Sequence, residues 1–248
     1  MRFASVSRLL LASAGFLAVV FLASAAAPAQ DKKADNTAIK PSERKDKGSV
    51  ARHERFVGIA KKGGVDVLFL GDSITQGWEG AGKEAWKRDF EPLKAANFGI
   101  GGDQTQHVLW RITEGKELEG INPKVAVMMI GTNNMRGNTA EQIAEGVTAI
   151  VKELRKQKPS MQILLLGIFP RSPEPNGMYR DKIKETNKII SKLDDGKQVH
   201  YLDIGDKFLE KDGSLSKDIM PDYLHLSPKG YDIWAAAIKG EVEKLAKK

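Results

Sequence analysis

The sequence of 248 residues contains no cysteine. That absence excludes disulfide scaffolds, zinc fingers, thiol nucleophiles, iron–sulfur clusters and lipidation at a thiol. Histidine is scarce too: His53, His107, His200 and His225 are the whole set, so any imidazole chemistry has four candidates. No basic block interleaved with aromatics occurs, which argues against nucleic-acid binding. The net charge of +7 is scattered, as in Lys83-Glu84 and Lys116-Glu117. Neither GxGxxG nor GxxxxGK[ST] is present, so nucleotide-binding glycine loops are not indicated. The G-x-S-x-G elbow of the α/β-hydrolases is missing as well. No internal repeat is evident. None of the histidines has carboxylates at metal-ligand spacing, and no metal or cofactor is expected.

What remains is ordinary globular composition, with 41% apolar and 29% charged residues, and a length that suits one domain. Arg2 and Arg8 are the only charges in the first 30 residues. They precede an apolar stretch over 9–23 and a small-residue segment, Ser24-Ala25-Ala26-Ala27-Pro28-Ala29. A basic n-region, apolar h-region and A-x-A-like site predict a cleavable export signal over 1–29. The rival is an uncleaved membrane anchor, since the run approaches the ~20 residues that span a bilayer. With cleavage, the protein is expected in the periplasm or the medium, with no stable membrane insertion. Residues 30–50 are polar and charged and predict a flexible tether. A single domain is expected over 51–248.

Within that domain, apolar runs over 65–70, 95–98, 125–130, 162–166 and 199–202 read as strands. Continuous apolar strands suit a sheet covered on both faces. Amphipathic patterns over 139–156, 180–193 and 228–246 read as helices. The alternation predicts an α/β fold with a parallel sheet of about five strands between helical layers.

Several loops carry polar groups where open α/β sheets hold their ligands, at the carboxyl ends of strands. Gly71-Asp72-Ser73-Ile74-Thr75 follows the first strand and presents a serine hydroxyl at the sheet edge. Ser73 is equally a good helix cap. Asn97-Phe98-Gly99-Ile100-Gly101-Gly102-Asp103 offers glycines that let the backbone approach a ligand or take positive φ. Gly131-Thr132-Asn133-Asn134 follows the third strand, and its asparagine amides can donate into a cleft or simply make a turn. Finally, Ser227-Pro228 is a strong helix start, which leaves Asp222 and His225 on the preceding loop. An aspartate there can fix the imidazole tautomer and leave the other nitrogen to take a proton from Ser73. His53, His107 and His200 read as packing or surface residues, and Trp110 and Trp234 as core.

Gly-Asp-Ser, Gly102 before Asp103, Gly-Thr-Asn-Asn and Asp-x-x-His, in that order, resemble the SGNH (GDSL-type) hydrolases. The segments NFGIGGDQTQHVLWRI, GTNN, NTAEQ, Phe169-Pro170-Arg171 and DYLHLSPKGY are similar to the catalytic subunits of the intracellular platelet-activating-factor acetylhydrolases. The similarity runs over residues 52–245. The wider family often has Gly-x-Asn-Asp in its third block; Asn134 stands here instead, as it does in that subfamily.

The resemblance implies a flavodoxin-like α/β/α sandwich and a Ser-His-Asp esterase. It makes Ser73 the nucleophile, His225 the general base and Asp222 its orienting partner. It gives the oxyanion hole to the backbone N–H groups of Ser73 and Gly102 and the side chain of Asn133. It places Ile74, Thr132 and Leu224 around a small acyl pocket, hence a preference for acetyl esters. The subfamily's animal enzymes are cytosolic, so the export signal argues against carrying over their substrate. A small-molecule or carbohydrate ester is expected instead. A carbohydrate O-acetyl deacetylase, a non-catalytic glycan- or partner-binding protein on the same scaffold, and a homodimer stay open as alternatives.

Overall fold

The computed structural model describes Met1 and residues 35–248. The expected export signal, apart from Met1, and the start of the expected tether lie outside the described residues. Five strands form one parallel sheet in the order β2-β1-β3-β4-β5. They are β1 (Val67–Gly71), β2 (Ala95–Gly99), β3 (Val125–Met129), β4 (Gln162–Leu166) and β5 (Val199–Leu202). Pairing is in register along β1, with Val67 opposite both Ala95 of β2 and Val125 of β3.

The pleat sends alternate residues to opposite faces. Leu68, Leu70, Phe98, Met128, Ile163 and Leu165 face one core. That core is closed by α1 (Lys47–Lys62), α4 (Thr105–Ile112) and α5 (Ala140–Gln157). Val67, Phe69, Val127, Met129 and Leu164 face the other core, with Trp78, Phe90, Trp234 and Ile238. That layer is built from the short α2 (Ser73–Gln76), α3 (Lys83–Asp89) and α7 (Pro228–Leu245). The helix α6 (Arg180–Ile190) packs beside α5. The result is the expected three-layer α/β/α sandwich.

Local signals account for several of these elements. Helix α5 opens with a capping box in which Thr139 accepts from the Gln142 N–H and Gln142 reaches back to the Thr139 N–H. It buries Ile143, Val147, Ile150, Val151 and Leu154 along one face, each worth about 1.5–3 kcal/mol on burial. Helix α7 starts as expected, with Ser227 accepting from the Gly230 N–H and Pro228 at the first helical position.

Residues 35–50 correct the expected tether. Thr37–Ile39 form a 3₁₀ turn that packs on α4 and α5, and Ala38 is fully buried. The Ala38 carbonyl accepts from Thr105 Oγ at 2.8 Å. Helix α1 begins at Lys47, capped by Asp46. Its apolar content is small, yet Phe56 stacks on Phe98 with ring centroids 4.6 Å apart. Arg52 and Arg55 both pair with Glu79. The polar composition hid this docking because it rests on one aromatic and a set of ion pairs. No helix among the described residues is long and apolar enough to cross a membrane.

The strand order reverses direction between β1 and β3: the chain leaves β1 toward β2 and leaves β3 toward β4. The crevice at the carboxyl ends of such a pair is where open α/β sheets bind ligands.

Candidate active site

Ser73 lies just past β1 and Asn133 just past β3, so the two flank that crevice. Asp72 caps α2, its carboxylate accepting from the Ile74 N–H at 3.0 Å. This leaves Ser73 as the first helical residue, with its hydroxyl at the sheet edge. Gly99 ends β2 against this helix: a Cβ there would lie 2.3 Å from the Gln76 nitrogen, so only glycine permits the approach.

The loop before α7 supplies the other half. His225 Nδ1 lies 2.6 Å from Asp222 Oδ2, and His225 Nε2 lies 2.9 Å from Ser73 Oγ. With the carboxylate as acceptor, Nδ1 carries the hydrogen and Nε2 accepts from the serine hydroxyl. The second Asp222 oxygen accepts from the Leu224 and His225 backbone N–H groups at 3.0 and 2.7 Å. Asp222 therefore fixes its own loop and the imidazole together. Partial burial raises its carboxyl, but the hydrogen bonds from the His225 side chain and backbone outweigh this and hold it below the usual carboxylate range. Tyr231 of α7 donates to the Ile74 carbonyl at 2.6 Å, tying the helix after His225 to the helix of Ser73.

Backbone and amide donors lie on the other side of Ser73. Among the described residues, neither the Ser73 nor the Gly102 backbone N–H has an acceptor. Asn133 uses one hydrogen of its amide on the Asp103 carbonyl at 2.9 Å, which leaves the second to point elsewhere. Gly102 has φ +80°, a left-handed conformation. Its loop is pinned from two sides. Gln76 Oε1 accepts from the Gly101 N–H at 2.7 Å, and Arg44 donates to the Gly101 carbonyl at 2.6 Å. Asn134, the departure noted in the third block, is fully buried, and its Nδ2 reaches Thr105, Gln106 and Asn138 at 3.0–3.2 Å. It fastens the loop after β3 to the start of α4.

A cleft of about 500 Å³ lies next to this loop cluster, lined in part by Gly102, Thr132, Asn133 and Leu224. Ile74 is 1% exposed and packs in the aromatic core with Phe69 and Trp78. The α2 turn presents Ser73 upward and drives the next side chain down into the protein.

Three further residues support these loops, and of them Arg111 carried no sequence signal that singled it out. Arg111 is buried between Asp103 and Glu117, with contacts of 2.9 and 2.5 Å. It also donates to the Phe98 and Gly71 carbonyls at 3.1 and 3.3 Å, the ends of β2 and β1. His53 completes this network through Glu117 at 2.8 Å. His107 accepts from the Gln104 N–H at 3.0 Å, and burial, with Arg44 and Arg111 nearby, pushes it down to about 4. It thus has the packing role expected of it, and so does fully buried Trp234.

Residues 69–233 match the model of the GDSL-like Lipase/Acylhydrolase family. The chain belongs to this family. It is 42% identical over 202 residues to the human platelet-activating factor acetylhydrolase IB subunit alpha1, covering 79% of this chain and 85% of that one. The rat alpha2 subunit is 43% identical over 182 residues, covering 73% of this chain and 78% of the relative. Among solved structures, a GDSL-like lipase from Bacteroides thetaiotaomicron superposes with a TM-score of 0.64 at 20% identity. That match covers 79% of this chain and 97% of the lipase. Family and relatives together make this protein an ester hydrolase.

Proposed function

We propose that the protein is a serine esterase for short acyl groups, acetyl first among them, working through Ser73, His225 and Asp222. The observation that carries this reading is the continuous chain from Ser73 Oγ to His225 Nε2 and from His225 Nδ1 to Asp222 Oδ2, at 2.9 and 2.6 Å. Ser73 Oγ attacks the ester carbonyl while His225 Nε2 takes its proton. Asp222 stabilises the imidazolium that forms. The carbonyl oxygen becomes an anion within reach of the Ser73 and Gly102 N–H groups and the Asn133 amide. Donors of this kind are worth about 2.7–4 kcal/mol each in the transition state. Collapse of the intermediate expels the alcohol, which takes the proton from His225. Water, activated by the same imidazole, then releases the acyl group.

Thr132 and Leu224 bound the cleft beside the nucleophile and limit the acyl chain. Where a pocket is closed by such side chains, each methylene counts for about 1–3 kcal/mol. The export signal expected over 1–29 directs this activity to esters outside the cytoplasm.

The test is hydrolysis of p-nitrophenyl acetate, butyrate and decanoate by the wild type, Ser73→Ala and Leu224→Ala. Acetate turnover by the wild type, lost in Ser73→Ala, is expected, with the butyrate-to-acetate ratio rising about tenfold in Leu224→Ala. Equal wild-type rates on acetate and decanoate would overturn the short-acyl reading. Turnover that survives in Ser73→Ala would overturn the nucleophile.

A further inference from the structure

A second cavity, of about 220 Å³, lies between α1 and α4 beside the loop that follows β2. It shares no lining residue with the cleft next to Ser73. Val50 and Ile100 contribute apolar walls, and His53, His107 and Trp110 contribute three rings. The His53 and Trp110 ring centroids are 5.1 Å apart, tilted by 57°. A cavity of about 150 Å³ is enough to take up benzene, so this space suits one aromatic ring with a short substituent.

Each imidazole spends one nitrogen inside the protein. His53 Nδ1 donates to the buried Glu117 carboxylate, whose other oxygen holds Arg111. In the neutral ring Nε2 is then an acceptor. His107 Nδ1 accepts from the Gln104 N–H, which puts its hydrogen on Nε2. Among the described residues, neither Nε2 has a hydrogen-bond partner of its own. The two histidines thus bring one acceptor and one donor to the same cavity. Both are pinned without a ligand, so binding has little left to order.

The charges around the cavity do not call for an ion. Asp103 is already paired with Arg111 at 2.9 Å and with Arg44 at 3.4 Å. Glu43 and Glu54 are exposed residues of the rim, where an ion pair is worth little. A ligand with acceptors only leaves His53 Nε2 unmatched, and one with donors only leaves the His107 N–H unmatched. A desolvated polar group without a partner is costly.

We propose that this cavity is a second small-molecule site, which binds an uncharged one-ring aromatic molecule bearing a primary amide or an equivalent donor–acceptor pair. The ring lies against Trp110, and the amide bridges His53 and His107. The site stands independently of the Ser73 esterase reading.

The test uses benzamide, benzoate and benzamidinium, which share a shape and differ in charge and in their donors and acceptors. Each is titrated into isotope-labelled protein while the indole N–H signals of the four tryptophans are followed by NMR. Trp78, Trp86 and Trp234 pack in the core on the other face of the sheet. Binding here should therefore move the Trp110 signal, identified by its absence in Trp110→Phe. Benzamide is expected to shift it with a Kd of about 1 mM, in the range of one-ring ligands. Both charged isosteres should bind about tenfold more weakly. Val50→Phe fills the cavity and should abolish the response, whereas Val50→Ala should keep it. If Val50→Phe does not fold, the comparison of the three isosteres on the wild type decides alone. A Trp110 signal unmoved by benzamide would mean that the cavity holds water only and would overturn the site. Equal affinity for all three isosteres, a shift confined to the other tryptophans, or an undiminished response in folded Val50→Phe would overturn it as well.

Discussion

Arg44 donates to the Gly101 carbonyl at 2.6 Å, one residue before the free N–H of Gly102. It also meets Asp103 at 3.4 Å, so a residue ahead of the first helix braces the loop after β2. Arg44→Ala should let that loop drift. Misplacement of a catalytic group by a fraction of an ångström is costly, and kcat is expected to fall about tenfold with KM little changed. Steady-state kinetics on p-nitrophenyl acetate checks this. A chain beginning at residue 47 should show the same loss, and unaltered kcat in both would mean the loop holds itself.

Asp222 has two jobs on two oxygens. In Asp222→Asn one oxygen remains to accept the backbone N–H groups, so the loop should keep its shape. The imidazole, however, loses the acceptor that fixes its tautomer and stabilises its charge. A fall in kcat of about 10⁴ is expected, with Tm nearly unchanged. Loss of Tm and kcat together would assign Asp222 to loop structure.

Asp72 is fully buried beside Ser73, and one of its carboxylate oxygens has no partner among the described residues. Burial, reinforced by the charge of Asp103, pushes its carboxyl up from 3.8 to about 7. The folded protein therefore binds a proton that the unfolded chain has released between about pH 4 and 7. Stability contributed by this group is present below pH 4 and is lost as pH rises through 7. Asp72→Asn mimics the protonated acid at every pH. The Tm of the variant relative to wild type should rise between pH 4 and pH 8, read by thermal unfolding. A difference that stays flat across that range would show Asp72 ionised, or solvated, throughout.

Arg111 is the centre of a buried charge cluster. Replacing it by leucine leaves Asp103 and Glu117 without their main partner in the protein interior. A loss of about 3–5 kcal/mol is expected from denaturant unfolding. A loss below 1 kcal/mol would show that His53 and Arg44 compensate.

The sheet and its helices were legible because their signals are local. Runs such as Val125–Met129 and residues 163–166 are apolar throughout, as doubly covered strands require. Thr139 with Gln142, and Ser227 with Pro228, mark helix starts within a few residues. Ser73, Gly102, Asn133, Asp222 and His225 stood out because each sits where a strand ends or a helix begins. Residues 35–62 were harder. Their docking depends on Phe56 meeting Phe98 and on Arg52 meeting Glu79, partners far along the chain. Arg111 was hidden for the same reason, since a lone arginine in an apolar helix does not announce two buried carboxylates.

The hydrogen bond between Ser73 and His225 joins residues 152 positions apart. The serine comes two residues after β1, the first strand made, and the imidazole comes shortly before α7. A ribosome-bound chain therefore carries its nucleophile through most of synthesis with no base beside it. The loop holding His225 is fixed only when α7 docks and Tyr231 reaches Ile74. On the proposed mechanism ester hydrolysis waits for α7: a product that ends before this helix is expected to be silent, and the onset of turnover during refolding should time α7 rather than β1.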